Sequence, residues 1–255
     1  MNKPAVQVLD RALDLVELLS LEPQGLGVTE LGAQLSLHKS TVHRLLTALA
    51  DRGYIEKEAG RYKLGLKFVE IASLKLNQLE LKTEAAPALR RLAETLGKVA
   101  HLAILDGAEA VYIEKLEPVA SLRMYSQIGR RIPLHCTALG KSLLSGLNPT
   151  ALNSLAAQLV FQPFTVKTIV SVGALLEEVR RTRERGWSLD DSEYEEGIRC
   201  VAAPIYDYTR RVIAAISVSG PRKEHDAVDE IARQVKETAL VISRRMGSTG
   251  IEEKA

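Results

Sequence analysis

The sequence predicts a two-part α+β protein, a small winged helix-turn-helix unit followed by a larger domain built on a largely antiparallel sheet. Three observations carry this. The first 65 residues place a helix, a short helix, a longer helix and a β-hairpin in that order. Beyond about residue 84, strand-like runs come in hairpin pairs with amphipathic helices between and around them, the pattern of an antiparallel sheet covered by helices. Composition allows both parts: 255 residues, 46% hydrophobic and 26% charged, suffice for two packed cores.

Taken in order, Val8, Leu9, Ala12, Leu13, Val16 and Leu19 recur at helical spacing over residues 6–20 and predict a first helix with that stripe buried. Glu22-Pro23-Gln24-Gly25 ends it. Thr29 is the expected N-cap of a short helix to Leu35. A longer helix over 38–52 buries Val42, Leu45, Leu46 and Leu49 and stops at Gly53. Tyr54 to Glu58 and Arg61 to Leu64 form strands around an Ala59-Gly60 turn. A helix over 66–82 joins the parts, with Val69, Ala72, Leu76 and Leu79 along one side and Phe68, Leu74 and Leu81 elsewhere.

The second part, 83–250, reads as a helix to Leu96, strands over 99–105 and 110–116, helices near 138–145, 149–159 and 172–185, strands near 187–190, 201–206 and 212–219, and a helix from Glu224 to Met246; the tail after Gly247 is expected to fray.

Net charge is +2, so the chain is no polycation, and any positive surface must be local. Residues 1–66 balance 8 basic against 8 acidic groups, yet no acid lies between Glu30 and Asp51. That acid-free stretch contains most of the longer helix and is the part that would meet DNA. Its polar face (His38, Lys39, Ser40, Thr41, His43, Arg44) suits phosphates and base edges in a major groove, and Arg61 and Lys63 on the hairpin suit the flanking backbone. The competing reading is a helical module for protein contacts with a solvated charged face. No apolar run reaches the ~18 residues of a membrane helix, and the N-terminus does not read as a secretory signal. Two cysteines make no disulfide scaffold, so a cytoplasmic setting is expected.

Several chemistries fail on spacing. Gly140-Lys141-Ser142 lacks the glycine five residues earlier that a phosphate loop needs, since that position is His135. Ser217 and Ser219 lack the flanking glycines of a nucleophile elbow. The acidic run from Asp190 to Glu196 reads as a solvated loop over a pocket, and His101, His135, Cys136 and Cys200 have no zinc-finger spacing. No cofactor or metal is expected.

The chain resembles the IclR family of transcriptional regulators over nearly its whole length. The resemblance rests on Lys39-Ser40-Thr41-Val42-His43-Arg44-Leu45-Leu46, Gly53-Tyr54, Ile132-Pro133-Leu134-His135 followed by Thr137-Ala138-Leu139-Gly140-Lys141, Glu195-Glu196-Gly197-Ile198-Arg199-Cys200, and Ala214-Ala215-Ile216-Ser217-Val218-Ser219-Gly220-Pro221. The stretch Leu122-Arg123-Met124-Tyr125-Ser126 with Ile128-Gly129-Arg130-Arg131 is similar to the branch that controls sugar-acid (2-keto-3-deoxygluconate type) catabolism.

The resemblance implies a GAF-like effector-binding domain, a homodimer or dimer of dimers on a pseudo-palindromic operator, and repression or activation of nearby catabolic genes, with repression of a catabolic operon the reading adopted. It places a small organic acid against the backbone of Ala138 and Leu139 and the side chains of Asp190, Cys200, Ser217 and Ser219. Ser217 and Ser219 alternate on one strand and so share a face. Met124, Tyr125, Leu134 and Ile198 are expected as apolar lining. The alternative is an enzyme acting on a small organic acid, with the first 65 residues as an accessory; no convincing nucleophile–base pair supports it.

Overall fold

The computed structural model describes residues 6–71, 80–118, 126–222 and 227–248. The chain divides into two compact units, 1–78 and 79–255.

In the first unit, α1 (Gln7–Ser20), α2 (Val28–Gln34) and α3 (Lys39–Ala50) precede the hairpin β1 (Ile55–Glu58) and β2 (Arg61–Leu64). Their core joins Leu15, Leu19, Leu26, Leu31, Val42, Leu46, Ile55 and Tyr62. α1 departs from its predicted face. Leu15 and Leu19, one turn apart, are buried, while Val8, Leu9 and Leu13 are exposed, so among the described residues the core of this small unit reaches only the second half of the helix. The N-cap of α2 lies two residues early: it is Gly27 and not Thr29, and the Glu30 carboxylate reaches back to accept from the Gly27 N–H at 2.7 Å, the N3 half of a capping box. Gly53, at φ +75°, closes α3. The Tyr54 N–H returns to the Leu49 carbonyl and the Gly53 N–H to Ala50, a pairing that needs a left-handed residue between. Ala59 and Gly60 both have positive φ, as a two-residue hairpin turn requires. An additional bridge, Leu26 to Tyr62, ties the hairpin to the loop after α1.

A helical turn begins at 67–71, and α4 (Glu80–Leu96) opens the second unit. The predicted stripe residues Ala72, Leu76 and Leu79 lie outside the described residues with Leu74, as do 223–226 and the tail beyond 248. Next come β3 (Val99–Asp106), β4 (Glu109–Leu116), β5 (Arg131–Pro133), α5 (Ala138–Leu144), α6 (Pro149–Ala156), α7 (Val172–Arg185), β6 (Ser188–Asp191), β7 (Ile198–Tyr206), β8 (Val212–Pro221) and α8 (Val228–Arg245). The strands form one antiparallel sheet in the order β5-β4-β3-β8-β7-β6. The short strand β5 has no counterpart in the sequence reading, because three residues carry no period.

α5 packs on β7 and β8 with α7 beside it, around Leu134, Leu139, Leu143, Leu175 and Val179. α4 and α8 pack on one another and on the sheet. Each start has its cap: Thr137, Asn148 and Ser171 accept from the backbone at the openings of α5, α6 and α7. Gly140 lets α5 press against residue 134, since a Cβ there would lie 2.4 Å from the Leu134 Cα.

Candidate functional site

The first unit presents α3. Val42 and Leu46 anchor it in the core, and the opposite face carries exposed His38, Lys39, Ser40, His43 and Arg44, with Thr41 half-buried. Among the described residues, Lys39, His43 and Arg44 have no ion-pair partner. The N-cap His38 makes no side-chain cap; the Thr41 N–H donates to the His38 carbonyl at 2.9 Å, and the N–H groups of Lys39 and Ser40, ahead of it, are the ones a helix start leaves for an outside acceptor. Glu30, the nearest acid upstream, is already engaged by Gly27 and by Arg61 at 3.2 Å.

The wing cations differ from this free face. The Arg61 guanidinium donates to the Gly25 carbonyl at 2.7 and 3.0 Å as well as pairing with Glu30, and Lys63 pairs with Glu58 at 2.8 Å. Arg61 thus fastens the hairpin to the α1–α2 loop, a partnership that no local pattern announces.

In the second unit, the strand register brings Asp190, Cys200 and Ser219 into one row: Asp190 faces Cys200 across β6–β7, and Cys200 faces Ser219 across β7–β8. The row opens on a cavity of about 470 Å³. His101 on β3 and Ser126 add polar groups, and Arg130 and Glu195 add charge. Tyr112, Phe164 and Tyr194 give aromatic walls, with Ile132 and Ile198 completing the apolar part. A mostly apolar cavity with a few polar handles is the usual form of a small-molecule site.

Three of the six expected effector contacts, Asp190, Cys200 and Ser219, line this cavity. Ser217 is buried two residues further along β8, paired in register with His101 and Ala202. Ala138 and Leu139 are packed in the core at the first turn of α5. Of the expected apolar lining, Ile198 is in place, Leu134 belongs to the core cluster, and Met124 and Tyr125 lie outside the described residues. Sequence spacing does not mark His101, Tyr112, Arg130, Phe164 or Tyr194 as cavity residues; the one signal is that aromatic residues are scarce, at 4%.

The acidic run is also less solvated than expected. Asp190 and Ser192 are buried, and Glu193 is 14% exposed and paired with fully buried Lys141 at 2.6 Å. Asp191 is held by Lys167, Arg199 and Arg222. The hydroxyls of Thr165 and Thr168 donate to the Ser192 and Glu193 carbonyls at 2.7 Å, locking the loop in place.

Electrostatics follow from burial. The Asp190 carboxyl is pushed up to about 7 by burial, although its Oδ1 accepts from the Glu193 N–H at 2.7 Å. Burial and the nearby Lys115 charge press His101 down to about 3, so its imidazole is neutral at physiological pH. Burial, with the neighbouring Asp190 charge, raises the Cys200 thiol, which keeps it protonated at neutral pH.

Two family models divide the chain between them: the IclR helix-turn-helix domain matches residues 8–59, and the bacterial transcriptional regulator IclR C-terminal domain matches residues 73–244. The chain belongs to the IclR family of bacterial transcriptional regulators. It is 38% identical to the HTH-type transcriptional regulator XynR of Escherichia coli K12 over 96% of this chain and 98% of that one. It is 37% identical to the regulator KdgR of Dickeya chrysanthemi, over 89% of this chain and 75% of that protein. The Thermotoga maritima IclR crystal structure superposes with a TM-score of 0.83 at 29% identity, covering 95% of this chain and all of that one. As in the IclR family generally, a DNA-binding helix-turn-helix precedes a C-terminal effector domain. Among the described residues, no helix is long and apolar enough to cross a membrane.

Proposed function

We propose that this IclR-family regulator is a cytoplasmic repressor of a catabolic operon, and that a small organic acid such as a sugar acid, bound in the second unit, alters its affinity for the operator. The observation that carries the reading is the Asp190–Cys200–Ser219 row opening on the cavity, in a chain whose α3 presents an acid-free polar face. Hydroxyl, thiol and carboxyl groups suit the hydroxyls or keto group of such an acid.

In this reading, residues 1–65 hold the duplex and residues 83–250 hold the effector, with 66–82 as the coupling segment. His38, Lys39, Ser40, Thr41, His43 and Arg44 dock in the major groove, and the open N–H groups of α3 take a phosphate. Arg61 and Lys63 meet the flanking backbone by exchanging their internal partners for phosphates. Asp190, Cys200 and Ser219 touch the acid directly. Ser217, Ala138 and Leu139, buried outside the cavity lining, are expected contacts only for an acid that enters more deeply. Homodimers, or a dimer of dimers, read a pseudo-palindrome, and the acid acts by binding one protomer arrangement more tightly. Binding without turnover is expected, since the Cys200 thiol is held protonated.

Fluorescence anisotropy of the full chain on duplex from its own upstream region, titrated with sugar acids and aromatic acids, tests this. A saturable change in duplex affinity supports the reading. Duplex binding that no acid shifts, with no acid bound in calorimetry, overturns the effector half, and absence of duplex binding overturns the whole.

A further inference from the structure

Buried polar atoms are almost always hydrogen-bonded, so an exception calls for a partner. Among the described residues, only two buried side-chain polar atoms have none, the Ser248 hydroxyl and Nδ1 of His101. His101 is 1% exposed, and it belongs to the cavity wall. Its other nitrogen, Nε2, is 2.7 Å from the Ser126 hydroxyl, while Lys115 donates to the Ser126 carbonyl at 2.7 Å. The Tyr112 ring lies against the imidazole, centroids 4.8 Å apart. The ring is therefore fixed by one nitrogen and one face, and the second nitrogen is buried without a partner.

We propose that His101 is the specificity residue of the effector cavity: its Nδ1 hydrogen-bonds a hydroxyl or carbonyl oxygen of the acid, remote from a carboxylate that is held near Arg130 at the rim. The inference rests on the effector reading above and names the ligand class within it, a compact acid with a second polar group. Arg130 supplies the exposed cation among the cavity residues, which suits a carboxylate; His101, neutral and buried, suits an uncharged oxygen and disfavours a second charge. An acid without that oxygen leaves Nδ1 unpaired and dry, the arrangement by which buried polar groups reject analogues.

Calorimetry on the full chain with two matched pairs tests this, 4-hydroxybenzoate against benzoate and D-gluconate against hexanoate. The hydroxylated member of a binding pair should bind roughly tenfold or more tightly. His101→Gln, which keeps a polar atom toward Ser126 and removes the one at Nδ1, should bring the two members of a pair to the same affinity, the hydroxylated acid losing its bond and the parent no longer stranding a polar atom. His101→Asn, with a polar atom near the Nδ1 position, should restore part of the preference. If either variant fails to fold, nitrogen-15 spectra of the wild-type histidines decide: saturating hydroxylated acid should move the His101 Nδ1 resonance and the parent should not. Equal affinities within each pair, an equal loss for both members in His101→Gln, or a silent Nδ1 resonance overturns the proposal and leaves the effector reading standing. No saturable binding by any of the four acids overturns both.

Discussion

The ammonium of Lys141 meets the carboxylate of Glu193 inside the protein, its Nζ 2.6 and 2.8 Å from the two oxygens, while the backbone N–H of the same Glu193 holds Asp190 at 2.7 Å. One ion pair therefore positions both the loop that covers the cavity and the carboxyl at its wall. Removing one partner strands the other in a low dielectric. Lys141→Met should destabilise the second unit by about 3–5 kcal/mol, and Lys141→Met with Glu193→Gln should recover most of that loss. Urea unfolding followed by the fluorescence of Trp187, the single tryptophan and a residue of the second unit, checks both. A double variant as unstable as the single one would show that the pair does more than balance charge.

Asp190 makes the stability of this unit depend on pH in an unusual direction. Its carboxyl goes from an ordinary 3.8 in the unfolded chain to about 7 in the fold, because burial penalises the charge. Between those values the native state binds more protons than the unfolded state, so stability falls as pH rises through the window from about 4 to about 7. Asp190→Asn keeps an oxygen for the Glu193 N–H and removes the charge. The variant should gain on the wild type by on the order of 3 kcal/mol between pH 4 and pH 8. Parallel Trp187 unfolding curves at the two pH values measure it, and an equal difference at both would refute the burial argument.

What the sequence made legible was local. The order of elements, Gly53 at the end of α3 and the Ala59-Gly60 turn all follow from short-range geometry, and the alternation of Ser217 and Ser219 placed both on one face. Depth along that face was not legible, since only Ser219 reaches the cavity. The face of α1 depended on what packs against it, and Val8, Leu9 and Leu13 are exposed while Leu15 and Leu19 are buried. Lys141, which in sequence is only part of a failed phosphate loop, is fully buried because its partner lies 52 residues on. His101, Tyr112 and Tyr194 meet through strand pairing and loop placement, which leave no spacing to read.

Arg61 offers a test that separates holding the fold from holding DNA. Its guanidinium bonds the Gly25 carbonyl and pairs with Glu30, half-exposed in both cases. Arg61→Ala should lower the stability of the first unit by about 1 kcal/mol, the worth of a charged hydrogen bond tempered by solvent. Lys63→Ala, which loses only a surface pair with Glu58, should leave stability within about 0.5 kcal/mol. Amide exchange in the hairpin and the Leu26–Tyr62 bridge reads the difference, and equal protection in the two variants would remove Arg61 from its fastening role.

On α3 the charges carry no such internal duty. Lys39 and Arg44 are exposed and unpaired among the described residues, and neither supports the core that Val42 and Leu46 anchor. Lys39→Ala and Arg44→Ala should therefore keep the unfolding curve of the wild type and weaken duplex binding. Where the side chain neutralises a phosphate, the slope of log affinity against log salt falls by ~1 and every sequence is weakened alike. Where it reads a base edge, the loss is about 1–3 kcal/mol and confined to the operator. Arg44 lies one turn into the helix on the outward face, so it is expected to behave as the reader and Lys39, at the first turn, as the phosphate contact. Anisotropy titrations on operator and scrambled duplexes across a salt series distinguish the roles; wild-type affinity and slope in both variants would mean that α3 does not enter the groove.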